Sequence, residues 1–481
     1  MRVLALALAL APLLPPLAYL APLLLPWLRR LSPGALGLLA VYLASLILPA
    51  LWAPEPLALP LALGRGLYVL GLVGVGVALA WNRSPSQALA PLGLGLFILY
   101  ISAFAASYLA FGDRVVQERL VHPFHNSPGL GFMGAMGVFL ALYLRYPWPF
   151  RLLLGLLGSA VLLLSGSRGG LLALVLGGGA GLLFRGRAAW ALGVALTLLF
   201  LAANLETPVT GRLFQTHLSG REGLWLRAYE VFQAHPWTGV GPYVFGDYLK
   251  GTLFPGCFLF PFLEARGLAC PEWLRPWGGL WTFAHNHLLQ ALGEGGVPGA
   301  LGLLLLVGGF LAGALGDGLL FSLLVAFLAM GMTDNPFSVP SPFRGEIFFL
   351  LGGMALARRG GEALGGRALA LAGGVALLWA LPLFYLATRP VPPAPVLRYA
   401  ALSPYGGILR LEGGEGYAVQ VWLCQGWRCQ RLGWEWKGDA PVAFRLPQSL
   451  PPGTYRVRIL LFREHRLAQR PLYLWEGEVV R

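Results

Sequence analysis

The stretch AHNHLLQALGEGGVPGALGLLLL, residues 284–306, opens on two histidines and closes as a lipid-soluble helix. A ring that titrates near neutral pH at the lip of an apolar run either caps the helix or does chemistry. From Val297 onward the run reads as a membrane span over 297–315, and the preceding Gly and Pro residues read as the joint between a wet helix and a dry one.

The same apolar texture extends through most of the 481 residues. The chain is 57% hydrophobic and 12% charged, with a mean hydropathy of +0.67, whereas a soluble chain carries about 25% charge. A spanning helix needs roughly 20 apolar residues, and backbone groups in lipid must be satisfied internally, which favours helices. About 12 spans are expected, at 3–27, 34–52, 62–81, 88–111, 128–145, 150–166, 169–184, 188–204, 297–315, 318–333, 344–357 and 368–387. The first tract runs past Pro15 and Pro16 to Arg29 and Arg30 with no clear cleavage signal, so it is expected to stay.

The expected fold class is thus an all-α polytopic membrane protein with a small C-terminal all-β, sandwich-like domain. A transmembrane domain covers 1–387 and includes a long mixed-polarity loop at 205–284; residues 388–481 form a linker and a β domain. TRPVPPAPVL reads as a stiff linker, and YAVQVWLCQ and GTYRVRILLF alternate with the period of strands.

The net charge of +14 is almost wholly arginine, the only lysines being Lys250 and Lys437. It reads as positive-inside topology and contact with anionic lipid, with no nucleic-acid role. All four cysteines lie outside the expected spans. Cys257 with Cys270, and Cys424 with Cys429, form two local pairs that suggest disulfides in an oxidising, extracytoplasmic compartment. A zinc site is disfavoured because the pairs lack the tight C-x-x-C form and sit in different segments.

With the long loop outside, Arg29, Arg30, Arg83, Arg145, Arg151, Arg185, Arg187, Arg358, Arg359 and Arg367 all fall on the inner side, and both chain ends face outward. Arg168, in LLLSGSRGGLLALV, then lies on the outer side, where topology gives no reason for a charge. It either snorkels to the interface or serves a site.

These residues resemble a known family. His285-Asn286, nine residues, then Gly296-Val297-Pro298-Gly299 resembles the His-Asn…Gly pattern of bacterial O-antigen ligases. SGREGLWLRAYEVFQAHPWTGVGPYVF, 219–245, is similar to the segment that precedes that motif in the O-antigen ligase and polymerase superfamily. SGSRGG, 165–170, and HPFHNSPGLGFM, 122–133, resemble its upstream elements. The likeness covers roughly residues 110–350; the β tail is not part of the usual pattern.

The resemblance implies a GT-C-like, metal-independent, inverting glycosyltransferase in the inner membrane, with its site on the outer face and no cofactor. The donor is a glycan on undecaprenyl diphosphate; the acceptor hydroxyl belongs to a lipid, a glycan or a protein. Ligase activity is expected first and polymerase activity second. A lipid-linked sugar flippase is the alternative of another class; it predicts inverted repeats and charges along a pathway, neither of which the sequence displays.

On this reading His285 is the general base that takes the acceptor proton. Arg168 and Arg221 bind the diphosphate, for which a planar guanidinium is suited, helped by a helix start at Ser219. Asn286 caps the helix or positions His285. Arg227 supports the site or pairs with Glu230 or Glu222. Glu222 and Glu294 orient His285, bind sugar hydroxyls, or are ordinary helix charges. His287 points away from His285 and is structural. Trp225, Trp237 and Tyr243 are either sugar platforms or interface anchors. His122 and His125 lack the partners of a metal site, and the glycine-rich runs at 66–76 and 176–181 are helix-packing faces.

Overall fold

A computed structural model describes residues 2–183, 187, 190–205, 207–214, 221–250, 282–359, 365–388, 396–412, 417–425, 428–436, 442–446, 450–463 and 472–480. The chain divides into two compact units, Met1–Leu381 and Pro382–Arg481.

The first unit is helical. Its main helices are α1 (Arg2–Leu10), α2 (Pro33–Ala50), α3 (Ala58–Ala80), α4 (Ala90–Phe111), α5 (Ser127–Tyr143), α6 (Trp148–Ser165), α7 (Arg168–Leu182), α8 (Trp190–Leu205), α9 (Arg221–Ala234), α10 (His287–Ala314), α11 (Gly318–Met330), α12 (Gly345–Arg359) and α13 (Gly366–Thr388). Among the described residues six helices are long and apolar enough to cross a membrane, including α2, α3, α10 and Gly366–Phe384. The apolar helices α5, α7, α8 and α11 are shorter. The first apolar tract departs from the expected continuous span. It breaks after α1 and continues as a 3-10 segment, Pro15–Arg30, because Pro15, Pro16, Pro22 and Pro26 each remove a backbone donor from an α-helical ladder.

Glycines let these helices touch. A Cβ on Gly76 of α3 would collide with the Leu350 carbonyl of α12, and one on Gly353 of α12 with the Val73 carbonyl of α3. The glycine-rich run at 66–76 is therefore a packing face, where small residues allow close backbone approach. Aromatic residues fill the space behind it: Phe310, Phe327 and Phe348 are completely buried and meet edge-on or tilted.

Helix α10 carries the break read from GGVPG. Gly296 has φ 60 and ψ −159 inside the helix, a conformation essentially reserved for glycine. Pro298 offers no N–H to the Glu294 carbonyl. The segment after α9 repairs the loss: Val240 N–H donates to the Gly293 carbonyl (2.9 Å), Gly241 N–H to the Glu294 carbonyl (2.9 Å), and the freed Val297 N–H to the Pro236 carbonyl (2.8 Å). The kink thus stitches the loop after α9 onto α10 with every exchanged backbone group paired.

The second unit is a β-sandwich. Strands β1 (Val396–Ser403), β2 (Gly406–Glu412) and β5 (Val442–Arg445) form one sheet, ordered β1-β2-β5. Strands β3 (Tyr417–Gln425), β4 (Arg428–Trp436), β6 (Thr454–Arg463) and β7 (Leu472–Val480) form the other, ordered β4-β3-β6-β7. Leu409 and Leu411 from the first sheet share a core with Val419, Val421, Val457 and Ile459 from the second. Cys424 is disulfide-bonded and lies opposite Cys429 in the β3–β4 register. Cys257 and Cys270 lie outside the described residues.

Gly296→Ala tests the kink. A Cβ there meets the Pro236 carbonyl oxygen at 2.5 Å in a backbone conformation that costs a non-glycine residue about 1–3 kcal/mol. Thermal unfolding in detergent is expected to fall by several degrees. Gly373→Ala, with open space around a helical position, is expected to leave unfolding unchanged or slightly later.

Candidate active site

Asn286 fixes the start of α10. Its Oδ1 accepts from the Leu289 N–H (3.1 Å), and its Nδ2 donates to the carbonyls of Met332 and Trp379, both at 3.0 Å. One completely buried side chain therefore caps α10 and ties it to the turn after α11 and to α13. His285 precedes this cap with φ +54, an uncommon conformation for a residue with a Cβ. It is held there by the Trp225 indole N–H, which donates to the His285 carbonyl (3.3 Å).

The imidazole of His285 meets a carboxylate: Nδ1 lies 2.9 Å from Asp334 Oδ1. Asp334 also accepts from the Asn335 N–H at 2.8 Å. Burial alone pushes the Asp334 carboxyl up. The hydrogen bond from His285 and the charges of His285, Arg221 and Arg344 outweigh it and hold Asp334 well below the usual carboxylate range. Asp334 is therefore an anion that selects Nδ1 as the donor nitrogen, leaving Nε2 as the basic one in the neutral ring.

Both residues line a cavity of about 330 Å³ together with Arg119, Arg168, Arg212 and Arg221. Arg168 opens α7 immediately after Ser167, whose Oγ caps the helix by accepting from the Gly170 N–H (3.1 Å). Arg221 opens α9; Ser219 lies outside the described residues. Arg119 donates from Nε to the Ser165 carbonyl (2.7 Å), just ahead of α7. The Arg212 stem lies against Gly166 in the same turn, where a Cβ would meet its Cδ at 3.7 Å. Two helix N-termini and four guanidiniums thus converge on one space, an arrangement suited to an anion. Burial, then the charges of Arg212, Arg221 and Arg168, pull Arg119 down to about 10.

The structure brings His285, Arg168 and Arg221 to this one cavity. Arg227 stands elsewhere: it pairs with Glu230 (2.7 Å) and donates to the Tyr248 carbonyl (3.0 Å). The side chain of Glu222 is outside the described residues. Glu294 does not reach His285; it is buried against Arg65 and accepts from Gln290 Nε2 (2.9 Å). His287 stacks on Phe337, centroids 3.4 Å apart, and its Nε2 accepts from the Phe337 N–H (3.3 Å). Trp225 is completely buried and offers no face to a sugar, whereas Trp237 is exposed. Tyr243 packs its ring beneath the Arg65 guanidinium, 4.5 Å away. His125 Nε2 lies 2.8 Å from the Pro12 carbonyl, and burial pushes the His125 ring down to about 3.

Sequence reasoning missed Asp334, Arg119 and Arg212. Asp334 had one signal, the polar triplet Thr333-Asp334-Asn335 closing an otherwise apolar tract. Arg119 and Arg212 had none beyond their charge.

No curated protein matches the chain. Residues 153–304 match a family model described as O-antigen ligase. The matched region holds Arg168, Arg212, Arg221 and His285, while Arg119 and Asp334 fall outside it. Over that region, about a third of its length, the chain is similar to the O-antigen ligase family.

Proposed function

We propose that this protein is an inverting glycosyltransferase of the ligase type. It moves a preassembled glycan from undecaprenyl diphosphate to an acceptor hydroxyl at the outer face of the inner membrane. The observation that carries this reading is the His285–Asp334 pair opening onto the same cavity as four arginines.

The chemistry follows from that juxtaposition. A lipid diphosphate sugar is already activated, so the protein must deprotonate a hydroxyl, hold it in line, and receive charge on the departing group. Asp334 keeps the His285 ring in one tautomer and stabilises the imidazolium that forms when Nε2 takes the acceptor proton. The acceptor oxygen bonds to the anomeric carbon as the bond to the phosphate oxygen breaks, and its electron pair stays with the diphosphate. Guanidiniums fixed beforehand around that oxygen stabilise the transition state more than the ground state, because the charge there is still growing. A single displacement inverts the anomeric centre and needs no side-chain nucleophile.

On this reading the donor's lipid lies along the membrane helices and its glycan projects outward. The disulfide-bonded β unit belongs to the extracytoplasmic side.

Reconstitution with undecaprenyl-diphosphate glycan and candidate acceptors, with products read by mass, tests the assignment. A single transferred block is expected; a ladder of repeats would make the protein a polymerase, and no covalent product with any acceptor would sink the reading. His285→Ala is expected to lower transfer by about 10²–10⁴-fold, the range for loss of a general base. Asp334→Asn is expected to lower kcat while donor binding is kept.

Arg168→Ala and Arg221→Ala are expected to raise the donor KM and lower kcat together, since each removes contacts made to the diphosphate before and during bond breaking. Wild-type kinetics in both variants would remove these arginines from the site.

A further inference from the structure

The outer face of the three-stranded sheet has no part in the chemistry assigned to the helical unit. Side chains alternate across a strand. Leu402, Leu409, Leu411 and Phe444 turn into the sandwich, which sends Tyr399, Ile408, Arg410, Ala443 and Arg445 outward, all of them exposed. The register sets these positions side by side. Tyr399 lies opposite Arg410, and Ile408 lies between Ala401 on one strand and Ala443 on the other. Arg398 is the extra residue of a bulge in β1; it is exposed and pairs with Glu412.

The hairpin joining β1 to β2 adds a second tyrosine at the tip of this face. Ser403 Oγ accepts from the Tyr405 N–H (3.3 Å) and donates to the Gly406 carbonyl (3.1 Å). The Tyr405 carbonyl accepts from the Leu446 N–H (2.9 Å), one residue beyond Arg445. The backbone of Tyr405 is thus fixed while its side chain stands 78% exposed. A lone exposed apolar residue is ordinary. Here Val396, Tyr399, Tyr405 and Ile408 are all at least 40% exposed, on one small sheet and its turn, interleaved with Arg398, Arg410 and Arg445.

That mixture favours lipid over other partners. Branched aliphatic side chains gain little from a hydroxylated sugar but are relieved of water by acyl chains. Tyrosine suits the headgroup level, with an apolar ring and a wet hydroxyl. Arginine lays its stem along apolar surface and offers its fork to lipid phosphate. Among the described residues of this face the charges are three arginines and one glutamate, a balance complementary to anionic headgroups. Covalent connection also keeps the unit near lipid. Val396 lies eight positions beyond Thr388, the end of α13, and eight residues reach at most about 29 Å. Most of α13, Gly366–Phe384, is long and apolar enough to cross a membrane. Such a tether raises the effective concentration of the bilayer surface, so individually weak contacts suffice.

We propose that the outer face of the β1-β2-β5 sheet, with Tyr405 at its tip, docks on the surface of an anionic bilayer. Tyr399, Tyr405 and Ile408 enter the headgroup region, and Arg410 and Arg445 bind lipid phosphate. Docking holds the β unit against the membrane whatever reaction the helical unit performs.

The full chain, reconstituted into vesicles, tests this with a fluorophore attached through Ala443→Cys or, as a control on the second sheet, through Glu478→Cys. The chain without an introduced cysteine gives the background labelling. In vesicles of phosphatidylglycerol and phosphatidylcholine, lipids brominated on the acyl chain are expected to quench the probe at position 443 and to spare the one at 478. Arg410→Gln and Arg445→Gln are each expected to lower the ratio of docked to free unit about fivefold, the weight of one cation beside an anionic surface. Pure phosphatidylcholine, or high salt with the arginines intact, is expected to act in the same direction. Equal quenching at 443 and 478, or quenching indifferent to phosphatidylglycerol and to both arginines, would overturn the proposal. Shielding of the 443 probe from iodide without quenching by brominated lipid would assign the face to a protein or glycan partner and overturn it as well.

Discussion

The break in α10 is the constraint on which the site depends. A kinked helix exposes backbone groups that an apolar environment does not tolerate unpaired. Here the exposed carbonyls of Gly293 and Glu294 and the freed N–H of Val297 are matched one for one by Val240, Gly241 and Pro236. The match locks the segment after α9 to the middle of α10, and α9 itself is fixed at the same time. Trp225 of α9 then holds the His285 carbonyl, and Arg221 stands at the head of the same helix. The two groups assigned to base and anion binding are therefore mounted on one cross-braced pair of elements, so neither is free to drift from the other.

A second brace lies behind the first. Arg65 of α3 and Glu294 of α10 form a buried pair, and Glu294 also accepts from Gln290 Nε2 and the Tyr243 N–H (3.3 Å). Gln290 in turn accepts from the Ala284 N–H (2.9 Å) through its Oε1. A buried charge pair of this kind adds little net stability, because desolvation offsets the attraction. Its hydrogen bonds instead specify one arrangement of α3, the loop and the residue before His285. The acid was open to three readings from sequence alone; its surroundings make it a structural anchor.

Much of this was legible in the residues because membrane helices and glycine joints leave strong local marks. GGVPG identified the break, and the apolar tracts identified most of the helices. The early tract was misread because hydrophobicity is blind to prolines that forbid an α-helix while leaving the composition unchanged. The three candidate residues that a motif marked, His285, Arg168 and Arg221, meet in one cavity. Asp334 lies 49 residues beyond His285, and Arg119 lies 46 residues before its anchor Ser165. Only tertiary packing brings such partners together, and no local periodicity records it. Trp225 shows the converse limit: an indole in a polar loop looks available for stacking until burial turns its N–H toward a backbone carbonyl.

The depth of the cavity follows from helix length. Helix α7 has 15 residues and α11 has 13, so each rises only about 20 Å, short of the roughly 30 Å of a bilayer core. They pack against each other, with Met330 at the end of α11 and Thr333 just beyond it beside Gly169 at the start of α7 (3.5 and 3.8 Å from a Cβ there). Where both helices stop short, the chain must fill the remaining depth with polar turns: Ser165-Gly166-Ser167 on one side and Thr333-Asp334-Asn335 on the other. Neither turn can lie against lipid with its backbone open, so the arginines and His285 close over them. The result is a recess in which charges are screened less than at a free surface. A chemistry that creates charge on a leaving group benefits from that screening deficit, and two helices too short to finish a span are sufficient to produce it.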